Sequence, residues 1–408
     1  MTFGAELIGP KRAQRRLWAA RAQKVELCLG SGTEDTRHIT AYGAEGWFDL
    51  ESNYCAPGYY RVDGQLRVPD PAYRFQPQDV HGVSEIIDSG AFAWQGSNWR
   101  GRPWEEPIIY ELHVGSFAPQ SSFQAVKQRL DYLVDLEITA VELMPAVDFP
   151  GTCSWGYDGM LPFAPDSRYG RPEDLKDLVQ TTHAKGLMVF LDVVYNHFGL
   201  DCNYLHVYAQ NFFTHRHRTP WDVTINFDGG NSHTVCDFFI HDALFWLEEC
   251  YFDGLRLDAV HAITDDADMD ILVELGDAVQ LGPRKERLVH LVLESYNDAP
   301  RYLERDDAGR PGWYTPQWND DAHLLHTLAM GEHTSYHVDY IDQPIAGLAR
   351  ALTEGFAYQR EPRLSRPATA RRAETGTCHR VRSSIFGRST IRWVTAPVAS
   401  ASAHWPSL

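Results

Sequence analysis

Three carboxylates stand where short apolar runs give way to polar residues: Asp192 in FLDVVYNH, Asp258 in DGLRLDAVH and Glu294 in LVLES. A lone acid in such a place is most often a helix cap or a solvated loop residue. Three of them, each closing an apolar run, are a set that a fold with convergent strand ends could turn to chemistry. Arg256 precedes Asp258 by two positions, which on an extended segment is the same face. A guanidinium there favours the ionised carboxylate, as a nucleophile requires. Glu294 follows Leu291, Val292 and Leu293 with no cation beside it in sequence. A drier setting raises a carboxyl pKa, which suits a general acid. Two carboxyls pushed apart in this way can cleave a glycosidic bond, with retention if they stand about 5–5.5 Å apart. Sequence spacing does not fix that distance.

The elements that would carry these residues are legible from the pattern. From Ile108 onward, IIYELHV, TAVELMP, GLMVFLDVVYN, FDGLRLDAV and LVHLVLES read as strands. Their near-continuous apolar character marks parallel strands buried on both faces. Helical stretches lie between them, such as FQAVKQRLDYLVDL and PEDLKDLVQTTHAKG; the second opens on Pro172, Glu173 and Asp174 and closes on Lys185 and Gly186,. Repeated strand–helix units predict an α/β fold, and so many in succession favour a (β/α)8 TIM-type barrel over a doubly wound sheet. Residues 1–98 look different: VELCLG alternates apolar Val25, Leu27 and Leu29 as a half-buried strand would, with Gly46, Gly58, Gly64 and Pro69 as turn formers,. We therefore expect a small N-terminal β-sandwich at 1–98, a catalytic barrel at 99–359 and an irregular tail at 360–408.

Composition bounds the partners. A formal charge of −18 argues against nucleic acid or an anionic membrane, both of which demand a basic surface,. The seven cysteines (28, 55, 153, 202, 236, 250 and 378) are scattered without a CxxC pair, so neither a disulfide framework nor a zinc site is expected,. The N-terminal residues lack the apolar core of a signal peptide, and no apolar run approaches membrane length; a cytoplasmic enzyme is the expectation. Nothing resembles a calcium loop, so no metal and no cofactor are expected. Aromatic content of 12% suits stacking on sugar faces, although most such rings simply pack,.

The motifs carry a more specific resemblance. DVVYNH (192–197), GLRLDAVH (254–261) and the Glu294 strand resemble three conserved regions of glycoside hydrolase family 13, in the family's order. YELHVGSF, VELMPAVDFPG, WGYDG, YGRPEDLK, INFDG, DFFIHDALFWLEE, LDAVHAI and QWNDD resemble its trehalohydrolase branch, and less fully its glycogen branching and debranching enzymes. RLWAARAQKVELCL and VPDPAYRFQPQDVHG match the β-sandwich, similar to a glucan-binding module, that precedes the barrel in this group. The likeness covers residues 1–359. It implies Asp258 as nucleophile and Glu294 as acid/base. Arg256 and His197 would hold the nucleophile and the sugar at the cleavage point, and Tyr157 would stack beneath that sugar. Asp192 and Asn196 would organise the strand end. His261, Asn319, Asp320 and Asp321 would meet the acceptor-side sugars, although His261 reads equally well as a loop histidine bonded to backbone. Trp318 could line a subsite, but packing in the core is the plainer reading. The implied substrate is maltooligosyltrehalose or a related α-glucan, cut at the α-1,4 bond beside the terminal trehalose. The alternatives are a branching or debranching enzyme and a glucan-binding protein without turnover.

The chain departs from the family after about residue 360. The expected His-Asp pair, which supplies a third carboxylate after the seventh strand, is missing, and REPRLSRPATARRAETGTCHRVR has no strand periodicity,. Reading the tail from the third base of each codon restores it. The Trp393–Val394 junction must then read Gly, permitted wobble bases give His-Asp-x-x-Gly-Asn-Arg-Ala over 389–397, and residues 376–385 give His-Leu-Pro-Pro-x-x-Phe-Val-Asn. One misfit remains, in that the codon before the His cannot encode the family's Asn. The expectation is a shift of reading frame near residues 358–363 and an incomplete barrel of strands one to six. An open barrel of that kind leaves strand edges unpaired.

Overall fold

Short alternating segments at the N-terminus form strands, numbered here in chain order: β1 (Gly4–Gly9), β2 (Arg12–Trp18), β3 (Val25–Leu29), β4 (Arg37–Thr40), β5 (Tyr42–Ala44), β6 (Trp47–Ser52), β7 (Gly58–Val62) and β8 (Leu66–Val68). The computed structural model describes residues 3–30, 37–52, 56–95, 98–219, 222–295, 300–319, 340–354 and 383–384. The eight strands make two antiparallel sheets, ordered β1-β2-β6-β5 and β4-β3-β7-β8. Ala13, Leu17, Phe48 and Leu50 of one sheet, and Leu27, Tyr60 and Val62 of the other, are buried. The half-buried expectation for β3 is corrected: all five residues are buried. Cys28 is a small apolar thiol with no exposed surface, and Glu26 is neutralised by Lys24 at 3.0 Å and Arg61 at 2.8 Å, so the second face can also be covered.

The chain divides into two compact units, Met1–Arg256 with Ala262–Val289, and Leu257–His261 with the residues from His290 onward. The first unit holds both antiparallel sheets together with the first four strands of the α/β part. Edge-on packing of Phe3 against Phe238 and tilted packing of Trp18 on Phe212, both with centroids 5.3 Å apart, joins its two parts. The α/β strands are β9 (Ile109–Leu112), β10 (Ala140–Leu143), β13 (Met188–Val193) and β16 (Gly254–Leu257), neighbours in that order. Between them come two antiparallel pairs, β11 (Val147–Asp148) with β12 (Leu161–Pro165), and β14 (Phe213–Thr219) with β15 (Asp222–Ile225). β10 pairs in parallel with β9 and β13, placing Glu142 opposite Glu111 on one side and Phe190 on the other. Asp253 anchors the start of β16: it is fully buried and accepts from the Val189 amide and His183, both at 2.9 Å, and the Trp99 indole at 2.7 Å.

The helices follow local chemistry. Pro172 opens the helix Pro172–Ala184 and the Asp174 carboxylate reaches back to the Arg171 amide at 2.9 Å,. The single helix expected over 123–136 is two pieces, Phe123–Lys127 and Leu130–Asp135. Arg129, at φ −105° and ψ 4°, leaves helical geometry while its guanidinium donates to the Phe117 carbonyl at 3.2 Å. In the second unit β17 (His290–Ser295) and β18 (Gln317–Asn319) run parallel, with Glu294 opposite Trp318 and Ser295 opposite Asn319. Ser383–Ser384 of the tail pairs in parallel with β18; nearly all other residues beyond 354 lie outside the described set. The described strands are those of a (β/α)8-type barrel carrying its first six.

Candidate active site

β13 ends at the acid the sequence singled out. Asp192 has no exposed surface. One Arg256 nitrogen, Nη1, lies 2.8 Å from each of its oxygens, and the Tyr157 hydroxyl donates to Oδ2 at 2.8 Å. Tyr157 is delivered by the WGYDG turn. Gly156 sits there at φ +91° with the Pro145 carbonyl 2.0 Å from where a Cβ would be, so any other residue would push the loop off the end of β10. Asn196 Oδ1 accepts from Nδ1 of His197, which fixes that ring's tautomer and orientation. His197 lines a cavity of about 1230 Å³ together with Asp158, Asn203, Arg216, Gly229 and Gly230, larger than the usual range for a small ligand. The structure thus joins Tyr157, Asp192 and Arg256 directly, and pairs Asn196 with His197.

The second unit holds the other half of the expected set. Directly after Asp258 the chain turns through Ala259 at φ +44°, a conformation that costs an L-residue about 1–2 kcal/mol. The turn aims the Ala259 amide at Glu294, whose Oε2 accepts it at 2.6 Å. Asp258, Glu294 and His261 are all half-buried, reachable from solvent as reacting groups must be. Trp318 is 7% exposed, in keeping with the packed reading. Nothing is described of the Asn319 side chain, and Asp320 and Asp321 lie outside the described residues.

Sequence reasoning missed two groups of close-set ionisable atoms, both in the first unit. Glu111, Glu142 and Asp192 are all buried, with carboxylate oxygens within 4.8 Å of one another. The signal was available, since YELHV and VELMP each place a glutamate inside an apolar run. Burial first, then Glu111 and Asp192, drive the Glu142 carboxyl well above its ordinary pKa, with Arg256 pulling the other way. The second group is His217, Asp228 and Asp266. Burial pushes Asp228 upward, but His217 at 2.8 Å, the Asp266 amide and Arg216 outweigh it and keep the carboxyl low. Arg216 stands 3.2 Å from that carboxylate. None of the five described cysteines forms a disulfide.

Comparisons with known proteins agree with this architecture. The family "Alpha amylase, catalytic domain" matches residues 96–243. A solved structure of a protein from Salmonella typhimurium described as an α-amylase superposes with a TM-score of 0.84 at 38% identity, over 90% of this chain and 63% of that one. Fold and sequence likeness therefore define a module of the α-amylase catalytic-domain type. A malto-oligosyltrehalose trehalohydrolase of Saccharolobus solfataricus is 36% identical over 88% of this chain and 62% of its own length. Its counterpart in Brevibacterium helvolum is 34% identical over 94% of this chain and 67% of its own. The chain belongs to the malto-oligosyltrehalose trehalohydrolase family. It spans 56–62% of the length of the first three curated relatives it matches. No helix among the described residues is long and apolar enough to cross a membrane.

Proposed function

We propose that this chain carries the nucleophile and acid/base of a retaining hydrolase that cuts the α-1,4 bond beside the terminal trehalose of maltooligosyltrehalose. Asp258 attacks the anomeric carbon while Glu294 protonates the departing glycosidic oxygen. The resulting β-glycosyl ester on Asp258 is then hydrolysed by a water that Glu294 deprotonates. Arg256 and His197 hold the sugar at the point of cleavage, Tyr157 lies beneath it, and His261 with Asn319, Asp320 and Asp321 meets the trehalose side. Asp192 and Asn196 keep the strand end in shape, and the enzyme works in the cytoplasm. The observation that carries this reading is the hydrogen bond from the amide following Asp258 to Glu294. It ties Glu294 to the residue directly after Asp258, so the ends of two neighbouring strands carry the two acids.

The test is trehalose release from maltotriosyltrehalose by this chain and by a version whose reading frame is restored after about residue 360. Release by either version, falling about 10²–10⁴-fold in Glu294→Gln and at least as far in Asp258→Asn, is the expected result. If neither version releases trehalose but linear or branched glucan is altered, the branching or debranching reading takes its place. Binding of glucan with no turnover by either version would instead identify a binding protein.

A further inference from the structure

The interior of a barrel of this kind is ordinarily filled by layers of bulky apolar side chains. Here one glutamate interrupts the layer on each of two neighbouring strands. Glu111 and Glu142 are register partners across the parallel pair β9–β10, so both side chains leave the sheet on one face, side by side. On the other neighbour, β13, the partner of Glu142 is Phe190. Asp192 stands two residues further along and shares its face. All three acids are buried, and neither carboxyl oxygen of Glu142 has a hydrogen-bond partner.

The charges do not balance if every acid is ionised. The groups that face Glu142 are Glu111 from β9, Asp192 from β13 and Arg256 from β16. Arg256 is the one cation among them, and its Nη1 is committed to Asp192. Ionising Glu142 would put a buried negative charge with no hydrogen-bond partner beside two other buried carboxyls, a state that the interior strongly disfavours. A hard divalent cation would need six or more oxygen ligands in a defined shell, whereas a proton removes one charge and needs no new ligand.

We propose that Glu142 is held as a neutral carboxylic acid, and that it acts as a positioning residue by leaving Arg256 and Tyr157 to Asp192. An ionised Glu142 would compete for the guanidinium and loosen the end of β13, next to His197. The location of the proton does not rest on the reaction proposed above.

Two measurements on the full chain test this. Infrared difference spectra at pH 7 should contain a protonated-carboxyl stretch that vanishes in Glu142→Gln. Urea unfolding between pH 5 and 8 gives the second readout. A carboxyl whose folded pKa is raised stabilises fully below its unfolded pKa, and that contribution is lost as pH climbs towards the folded value. The folding constant of Glu142→Gln should therefore gain on the wild type by up to tenfold per pH unit. Glu142→Met, apolar and of similar size, should show the same gain and serves if the glutamine variant does not fold. A missing band or parallel pH profiles would overturn the proposal. So would stoichiometric Ca²⁺ or Mg²⁺ binding by calorimetry that disappears in the variant, since a cation would then occupy the cluster. Band and pH slope without any trehalose release would sink the proposed reaction and support the proton.

Discussion

The β-sandwich and the barrel each bury an acid, and they neutralise it differently. In the sandwich, Asp70 is 2% exposed and accepts from the Ala72 amide at 2.8 Å. It faces two arginines: Arg74, which lies 4.9 Å from the ring centres of Phe163 and Phe245, and Arg15, which donates to the Tyr73 hydroxyl at 3.0 Å. Burial raises the Asp70 carboxyl; the Ala72 amide, Arg74, the Tyr60 hydroxyl and Arg15 hold it back, and it comes to rest at about 7. In the barrel the ratio is inverted, with Glu111, Glu142 and Asp192 facing Arg256, and Glu142 is pushed well above the ordinary range. Cation supply, more than depth of burial, separates the two sites. Asp70 faces two guanidiniums and titrates near neutrality; Glu142 faces two acids and one guanidinium, and a proton takes the place of the cation it lacks.

The sharpest way to break this contrast is to take away the barrel's cation. Arg256→Met leaves Asp192 buried with the Tyr157 hydroxyl but without its guanidinium, beside two further carboxyls. Breaking a buried pair from one side costs about 3–5 kcal/mol, and the crowd of acids argues for the upper end. Urea unfolding at pH 7 measures it. A loss below about 1 kcal/mol would mean that protons already neutralise Asp192 as well, and the ion pair would no longer be the organising feature of that strand end.

The strands and their terminal acids were legible because buried parallel strands write themselves as apolar runs, and Asp192, Asp258 and Glu294 each close one. The Glu111–Glu142 contact was not legible in the same way. Each glutamate is visible in its own run, but their adjacency depends on the register between β9 and β10, which tertiary packing sets. Ala259 gave no warning either. Alanine carries no preference for positive φ, yet its left-handed turn is what brings the amide after Asp258 onto Glu294. β3 misled because alternation predicts one wet face, and the sequence does not say that Lys24 and Arg61 will neutralise Glu26 and let that face be covered. The break at Arg129 likewise goes with a hydrogen bond to a carbonyl twelve residues away.

A second change sharpens the sandwich side. Asp70 has a folded pKa of about 7, against about 3.9 for an unfolded aspartate. Its contribution to stability is complete below pH 4 and is lost as pH rises to 7, by on the order of 4 kcal/mol at 1.36 kcal/mol per unit. Asp70→Asn keeps an acceptor for the Ala72 amide and removes the titration. The variant should match the wild type near pH 4 and exceed it in stability at pH 7.5. Equal slopes for both proteins over that interval would show that Asp70 stays ionised throughout, and the excess of arginine would then be stronger than its environment suggests.

The smallest expected effect comes from an acid with the opposite shift. Glu26 on β3 lies below its ordinary pKa, held there by Lys24 first and by Arg61 second. A depressed carboxyl stabilises above its unfolded pKa and loses that contribution as pH falls, the reverse of Asp70. Arg61→Met removes one of the two partners. The Arg61 side chain is 33% exposed, so solvent screens the pair, and Lys24 still neutralises the carboxylate. A small cost at pH 7 follows, shrinking as the pH falls and Glu26 takes up a proton. A cost that persists undiminished in acid would assign the loss to the packing of the Arg61 stem over the sheet, and charge would drop out as the reason β3 can be buried on both faces.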